Sequence, residues 1–309
     1  MPSSVARFSL PPVSPGLVVH AVQFIRKMGG GSQPALIRCS DDRLYVVKFF
    51  NNPQGSNVLA NEVLGNELLN IFGFPIPRWK IVSISSSFVK ENPEAAFETS
   101  SGTSSVEVGL HFGVEFLGAE KTGQIYEWLP GGFANRLSNR GDFVGIYIFD
   151  IWANHCDNRQ SLFLTKDENI SFQAVFVDNG HLFGGPEWKQ QRRYCESAHL
   201  DKRFNLNEWN EGIVEGWISR FESIDFSLVF QITQNVPRFW YGGDIERVAD
   251  SLIQRLSMLR ALLSEEKARR MKFFKLSQDD CLDARLSLHC FELPCHGSLR
   301  KGAGSCAAS

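Results

Sequence analysis

With 309 residues, 43 % of them hydrophobic, and a formal net charge of −2, the chain can bury a large core in one large or two modest domains. Near charge balance leaves no basic surplus for nucleic acid, and no long uncharged apolar run points to a membrane span. The opening stretch MPSSVARFSLPPVSPG lacks the continuous apolar core of a signal peptide, and seven scattered cysteines suit reduced thiols, so a cytoplasmic protein is expected.

In chain order, Leu17 to Phe24, Ala35 to Cys39 and Leu44 to Phe50 read as strands, the last two joined by the polar turn Ser40 to Arg43. Between the first two lie Gly29, Gly30, Gly31 and Ser32, followed by Gln33 and Pro34. Glycines there let backbone N–H groups come close to an anionic ligand. Lys48 is a charge inside an otherwise apolar strand, and burying an ammonium costs several kcal/mol unless it is paired. A helix from a Ser56 cap to Ile71, stopped at Gly73, offers Glu62 as the partner, with Glu67 as a rival. Its apolar face is expected to be Leu64, Leu68, Ile71 and Phe72. A Lys48–Glu62 pair would copy the strand-lysine and helix-glutamate ion pair that holds ATP phosphates in protein kinases.

Trp79 to Ile84 is a further strand, and the polar, serine-rich segment after it is expected to be a mobile insertion. Val106 to Leu117 returns to strand character, and a boundary is set at about Gly118, where the sequence turns polar. A kinase would meet adenine with the backbone of Glu115, Phe116 and Leu117. Helices are expected at Thr122 to Leu129, up to Asn154, at Leu206 to Phe221, and after Asp244 with the stripe Val248, Leu252, Leu256, Leu259 and Leu263. From about Ser277 periodicity is lost. The nearby His289, Cys290, Cys295 and His296 lack paired metal-ligand spacing and are not taken as a zinc site.

Phe149 to Pro186 carries the chemistry. Asp150 and Asn154, four apart, are expected on one face of a buried helix, with Asp157 in the loop just beyond. Ser161 to Thr165 and Phe172 to Val177 read as a hairpin around Lys166 to Ile170, closed by Asp178, Asn179 and Gly180. A carboxylate after a helix, a hairpin, then a carboxylate at a strand end is how several kinase lineages place a catalytic base and a magnesium ligand.

In that order GGGSQPALIRC, YVVKF, LANEVLG with FGFPIP, FDIWANHCDNRQ and FVDNGHLFGGP resemble the HipA-like kinase family over roughly residues 15 to 262. The resemblance implies an α+β, two-lobed protein-kinase-like fold: a β-rich N-lobe (1–117), a mainly helical C-lobe (118–276) and a tail (277–309). It also implies Asp157 as the catalytic aspartate, braced by Asn154, Asp178 as the magnesium aspartate, Lys48 as the phosphate lysine, and Gly29 to Ser32 as the nucleotide loop. The family's metal-binding asparagine is missing after Asp157, so either Ser161 or Gln160 stands in or a metal site is weakened. The expected activity is ATP- and Mg2+-dependent phosphoryl transfer to a protein hydroxyl, with a nucleotide-binding pseudokinase or a regulatory interaction module as the alternatives. The expected partners are ATP and a protein substrate, with no membrane and no nucleic acid.

Overall fold

The computed structural model of the protein describes residues 15–100, 102–119, 124–129, 131–165, 171–189 and 210–268. The chain divides into a unit of residues 1–263 and a second of 264–309, of which only 264–268, a helical stretch, are described. Among the described residues every strand belongs to the first unit.

Five strands close a barrel in the order β1 (Val18–Lys27), β2 (Ala35–Cys39), β3 (Leu44–Lys48), β7 (Gly109–Glu115) and β4 (Trp79–Ile84). The β1–β4 contact is the parallel one, with Val18 opposite Ile81. Closure leaves no open edge, and alternating residues such as Tyr45, Val47, Ile37 and Val82 fill the interior. His111 lies in the same interior. Its Nδ1 accepts the Phe50 N–H at 2.9 Å, and its Nε2 lies 3.1 Å from the Glu107 carbonyl.

The serine-rich segment expected to be mobile is folded. Ser85 caps the short helix α2 (Ser86–Glu91), its Oγ accepting the Phe88 N–H at 3.1 Å. Strands β5 (Ala96–Thr99) and β6 (Gly102–Ser105) then pair as a hairpin. Composition pointed the other way, but Phe88 and Phe97 are buried in the barrel's core, which anchors both elements.

Helix α1 (Asn57–Ile71) follows β3. One apolar face was expected, yet residues 58 to 66 are buried without interruption. The helix is enclosed between the barrel and the helices later in the chain. Ser56 precedes it but makes no side-chain cap, and Gly73 ends it with φ of 70°.

After the barrel, β8 (Gln124–Tyr126), β9 (Gln160–Thr165) and β10 (Gln173–Val177) form a sheet with β9 in the centre. The expected helix at 122–129 is therefore a strand over Gln124–Tyr126, because pairing with Phe163 to Thr165 satisfies its backbone. Helix α3 (Asp142–Trp152) carries Phe149 and Trp152 into a cluster with Phe72 and with Phe221 of α4 (Glu211–Glu222). Each such fully buried aromatic contributes about 1.5–3 kcal/mol. Trp152 Nε1 donates to the Leu252 carbonyl at 2.9 Å and Arg255 Nε to the Trp152 carbonyl at 2.7 Å, which ties α6 (Glu246–Ser257) to the end of α3. Between α4 and α6 runs α5 (Phe226–Thr233). The last apolar stripe is interrupted at Met258, where α6 stops. Residues 206–209 of the expected fourth helix, the hairpin turn Lys166 to Ile170, the tail and its Cys/His group lie outside the described residues. Among the described residues no helix is long and apolar enough to cross a membrane.

Candidate active site

Three sequence-distant residues meet at the inner end of β3. Lys48 Nζ donates to Glu62 Oε1 at 2.5 Å and to Asp178 Oδ1 at 2.8 Å. The rival Glu67 is occupied elsewhere, accepting from Trp79 Nε1 at 3.1 Å. Burial alone would lower the Lys48 ammonium, but the Glu62 and Asp178 carboxylates outweigh it and hold the group charged. Burial would raise Asp178, and Lys48 first, then His155 and Arg159, reverse this and bring it down to about 2. Asp178 is thus an ionised oxygen donor whose side chain keeps 26 % of its surface open.

The turn carrying Asp178 is shaped by more than Gly180. Asp178 itself has φ of 66°, in the left-handed region. Gly180 is needed for closeness rather than for a turn: a Cβ there would lie 2.8 Å from Val58 Cγ1 and 3.4 Å from Lys48 Nζ. Gly65 on α1 serves in the same way, since a Cβ would come within 2.5 Å of the Asn179 Cβ.

Two residues not assigned a role from sequence grip this turn. Arg159 is buried, paired through Nη2 and Nε with Asp150, and its Nη1 donates to Asn179 Oδ1 at 2.6 Å and reaches the Val177 and Asp178 carbonyls at 3.3 and 3.4 Å. Burial works against the Asp150 charge, but Arg159 and then His155 hold it below the usual carboxylate range. On the other side, Asn61 of α1 donates to the Gly180 and Leu182 carbonyls at 2.8 and 3.1 Å and accepts from Trp188 Nε1 at 2.7 Å. Asn61 stood out in the sequence only as a polar residue among apolar ones in VLANEVLG, and Arg159, within the polar stretch Asp157 to Ser161, gave no such signal.

Asn154 was expected on the helix face with Asp150, but α3 ends at Trp152 and Asn154 takes φ of 50°. Its carbonyl accepts the Gly184 N–H at 2.9 Å, while the Cys156 N–H donates to the His181 carbonyl at 2.9 Å. The loop before Asp157 is therefore stitched to the loop after Asp178. Asp157 is exposed, with Oδ1 accepting the Asn158 N–H at 2.7 Å. Burial lowers the His181 imidazole, and Asp157 and Asp178 both pull against that, so the two carboxylates act on one ring. Buried His181 Nε2 and Asn179 Nδ2 have no hydrogen-bond partner among the described residues.

Gln160 and Ser161 open β9, opposite Val177 and Phe176. Ser161 shares the face of buried Phe176, whereas Gln160 is exposed beside the strand end that leads to Asp178. Gly29 to Ser32 form the β1–β2 turn, and Ala35 just beyond it pairs with Val47 next to Lys48. Glu115 ends β7 three registers from Phe112, the partner of Lys48, about 10 Å along the ladder. The N–H groups of Glu115 and Phe116 already donate to the Arg78 and Leu44 carbonyls at 2.7 and 2.8 Å. Among the described residues no three His, Cys, Asp or Glu side chains form a ready metal cluster. The ionised carboxylate of Asp178 is still an oxygen donor of the kind that suits magnesium, which keeps waters in its remaining positions.

The fold is kinase-like, with mixed helices and strands. It is similar to that of the Helicobacter pylori proinflammatory kinase CtkA, at TM-score 0.50 and 12 % identity over 77 % of this chain and 92 % of that one. It is also similar to hydra Fam20 solved with sugar, at TM-score 0.53 and 10 % identity over 82 % and 87 %. A comparison with curated protein sequences returned no match. The sequence matches the HipA-like kinase family over residues 21–175, half of its length, and the chain belongs to that family.

Proposed function

We propose that the protein is a phosphotransferase of the kinase type, dependent on ATP and magnesium, that acts on a protein hydroxyl of the serine or threonine kind. The observation that carries this reading is the Lys48–Glu62–Asp178 ion triad, with a lysine kept charged and an aspartate kept ionised beside it. Lys48, fixed by Glu62, would bind the nucleotide phosphates as a point charge. Asp178, with Gln160 better placed than Ser161 to assist, would hold magnesium, which when bound neutralises phosphate charge. Asp157 would orient the acceptor hydroxyl and accept its proton, and Asn154 would brace that loop. Gly29 to Ser32 would receive the phosphates and Glu115 to Leu117 the adenine. On this reading residues 1–117 and 118–276 act as two lobes around the nucleotide, in a cytoplasmic protein.

Calorimetric titration with ATP, with and without magnesium, tests the metal's place. Asp178→Asn should cut affinity far more in the presence of magnesium than in its absence, since an amide oxygen offers no full charge to a hard cation. Equal losses in both conditions would remove Asp178 from the metal site.

A further inference from the structure

The hairpin β5–β6 and the glycine loop are remote in sequence and joined in space by one side chain. Gln33 Nε2 donates to the Glu98 carbonyl at 2.7 Å, and the Glu98 N–H donates to Gln33 Oε1 at 2.8 Å. The side-chain amide thus makes the pair of bonds that a neighbouring strand would make to β5. Lys27, at the other foot of the loop, lies 3.8 Å from Glu98 as an ion pair. Within the loop the Gln33 N–H closes on the Gly30 carbonyl at 3.0 Å and the Met28 N–H on the Pro34 carbonyl at 2.8 Å. Gln33 holds φ of 47°, a left-handed conformation that is strained for a non-glycine residue and persists only where neighbouring contacts impose it.

The hairpin is itself keyed to the strand that carries Lys48. Phe97 is buried edge-on against Phe49, with ring centroids 5.4 Å apart. Asn51, three residues beyond Lys48, donates to the Ser105 carbonyl at 2.9 Å and accepts the Glu107 N–H at 3.2 Å. One hairpin therefore fixes the glycine loop on one side and the exit of β3 on the other.

We propose that Gln33 is a positioning residue: through its amide pair with Glu98, the β5–β6 hairpin holds the glycine loop in the shape that receives nucleotide phosphates. This rests on the reading of Gly29 to Ser32 as the nucleotide loop. The hairpin then does the work of pre-organisation, and the loop arrives at the phosphates already ordered. Gln33 is half-buried and is not part of the barrel's hydrophobic core, so truncating it leaves that core untouched.

The test is ATP and adenosine affinity of the full chain, measured by competition against a fluorescent ATP analogue, for the unmodified protein, Gln33→Ala, Glu98→Pro and the double variant. The Glu98 N–H points to Gln33 and not to β6, so proline there removes no bond of the β5–β6 ladder. Loss of two bonds of ordinary net strength should weaken ATP about tenfold in Gln33→Ala and leave adenosine, which has no phosphates, unchanged. The double variant should lose no more than Glu98→Pro alone, because both changes break one contact. Unchanged ATP affinity in Gln33→Ala, or equal weakening of ATP and adenosine, overturns the inference alone. If the unmodified protein binds no ATP, the phosphotransferase reading fails and this inference with it.

Discussion

At the scale of single residues, buried charge decides most of what the site can do. Arg159 compensates Asp150 inside the protein while its remaining N–H groups hold the Asp178 turn, so its planar fork is used on three sides at once. Arg159→Lys offers one point charge in place of that fork. It should lower unfolding stability by about 2–4 kcal/mol in denaturant titration, since part of the buried network is left unsatisfied. An unchanged denaturation midpoint would contradict the role given to Arg159. His111 makes a different case, one of pH. Burial lowers its imidazole to about 4 from an ordinary 6.5, and the Glu107 carbonyl only partly offsets this. The folded group binds its proton less readily than the unfolded one. Its contribution is therefore fully present above pH 6.5 and is lost as pH falls from there toward 4, by a total of about 3 kcal/mol. His111→Gln keeps an acceptor and a donor but does not titrate, so its stability should decline less across that window. Parallel stability curves for the two proteins would assign the slope to other groups.

At the scale of elements, α1 is the part that brings the site together. It supplies Glu62 to Lys48, and through Asn61 it holds the backbone beyond Asp178. Its close approach depends on Gly65, where a Cβ would meet Asn179 and Leu182 at 2.5 and 2.6 Å. Gly65→Ala gains helix propensity but overpacks that contact, and the second effect should win at about 1–3 kcal/mol of destabilisation. Thermal unfolding measures the sign, and a rise in midpoint would show that the turn can shift at little cost. The strands β1 to β3, the extent of α1 and the Lys48–Glu62 partnership could be read in advance because each leaves a local pattern: alternation, a stop signal, or a charge in an apolar run. The grip of Arg159, the Asn61 bonds and the Gln33–Glu98 pair could not. They join residues between 9 and 127 positions apart through hydrogen bonds, which impose no periodicity on either partner. The serine-rich segment misled for a related reason: two buried phenylalanines, Phe88 and Phe97, outweigh a polar composition that alone suggests disorder.

At the scale of the molecule, a closed barrel and a helix-rich part meet around α1 and the Asp178 turn, within a fold shared with kinases and a chain that belongs to the HipA-like kinase family. Asp157 stands exposed, just after a loop that is stitched to the loop beyond Asp178. Phosphoryl transfer depends mostly on positioning and charge stabilisation, so if Asp157 orients the acceptor as proposed, its removal should reduce turnover by orders of magnitude with little effect on nucleotide affinity. The direct measurement is transfer of label from γ-labelled ATP, with magnesium, to the protein itself and to water, for the unmodified chain and Asp157→Asn, alongside ATP affinity for both. The account predicts magnesium-dependent transfer by the unmodified protein and near-background transfer by Asp157→Asn at equal affinity. Binding of ATP by both proteins with no transfer by either above background would contradict it and make the chain a pseudokinase.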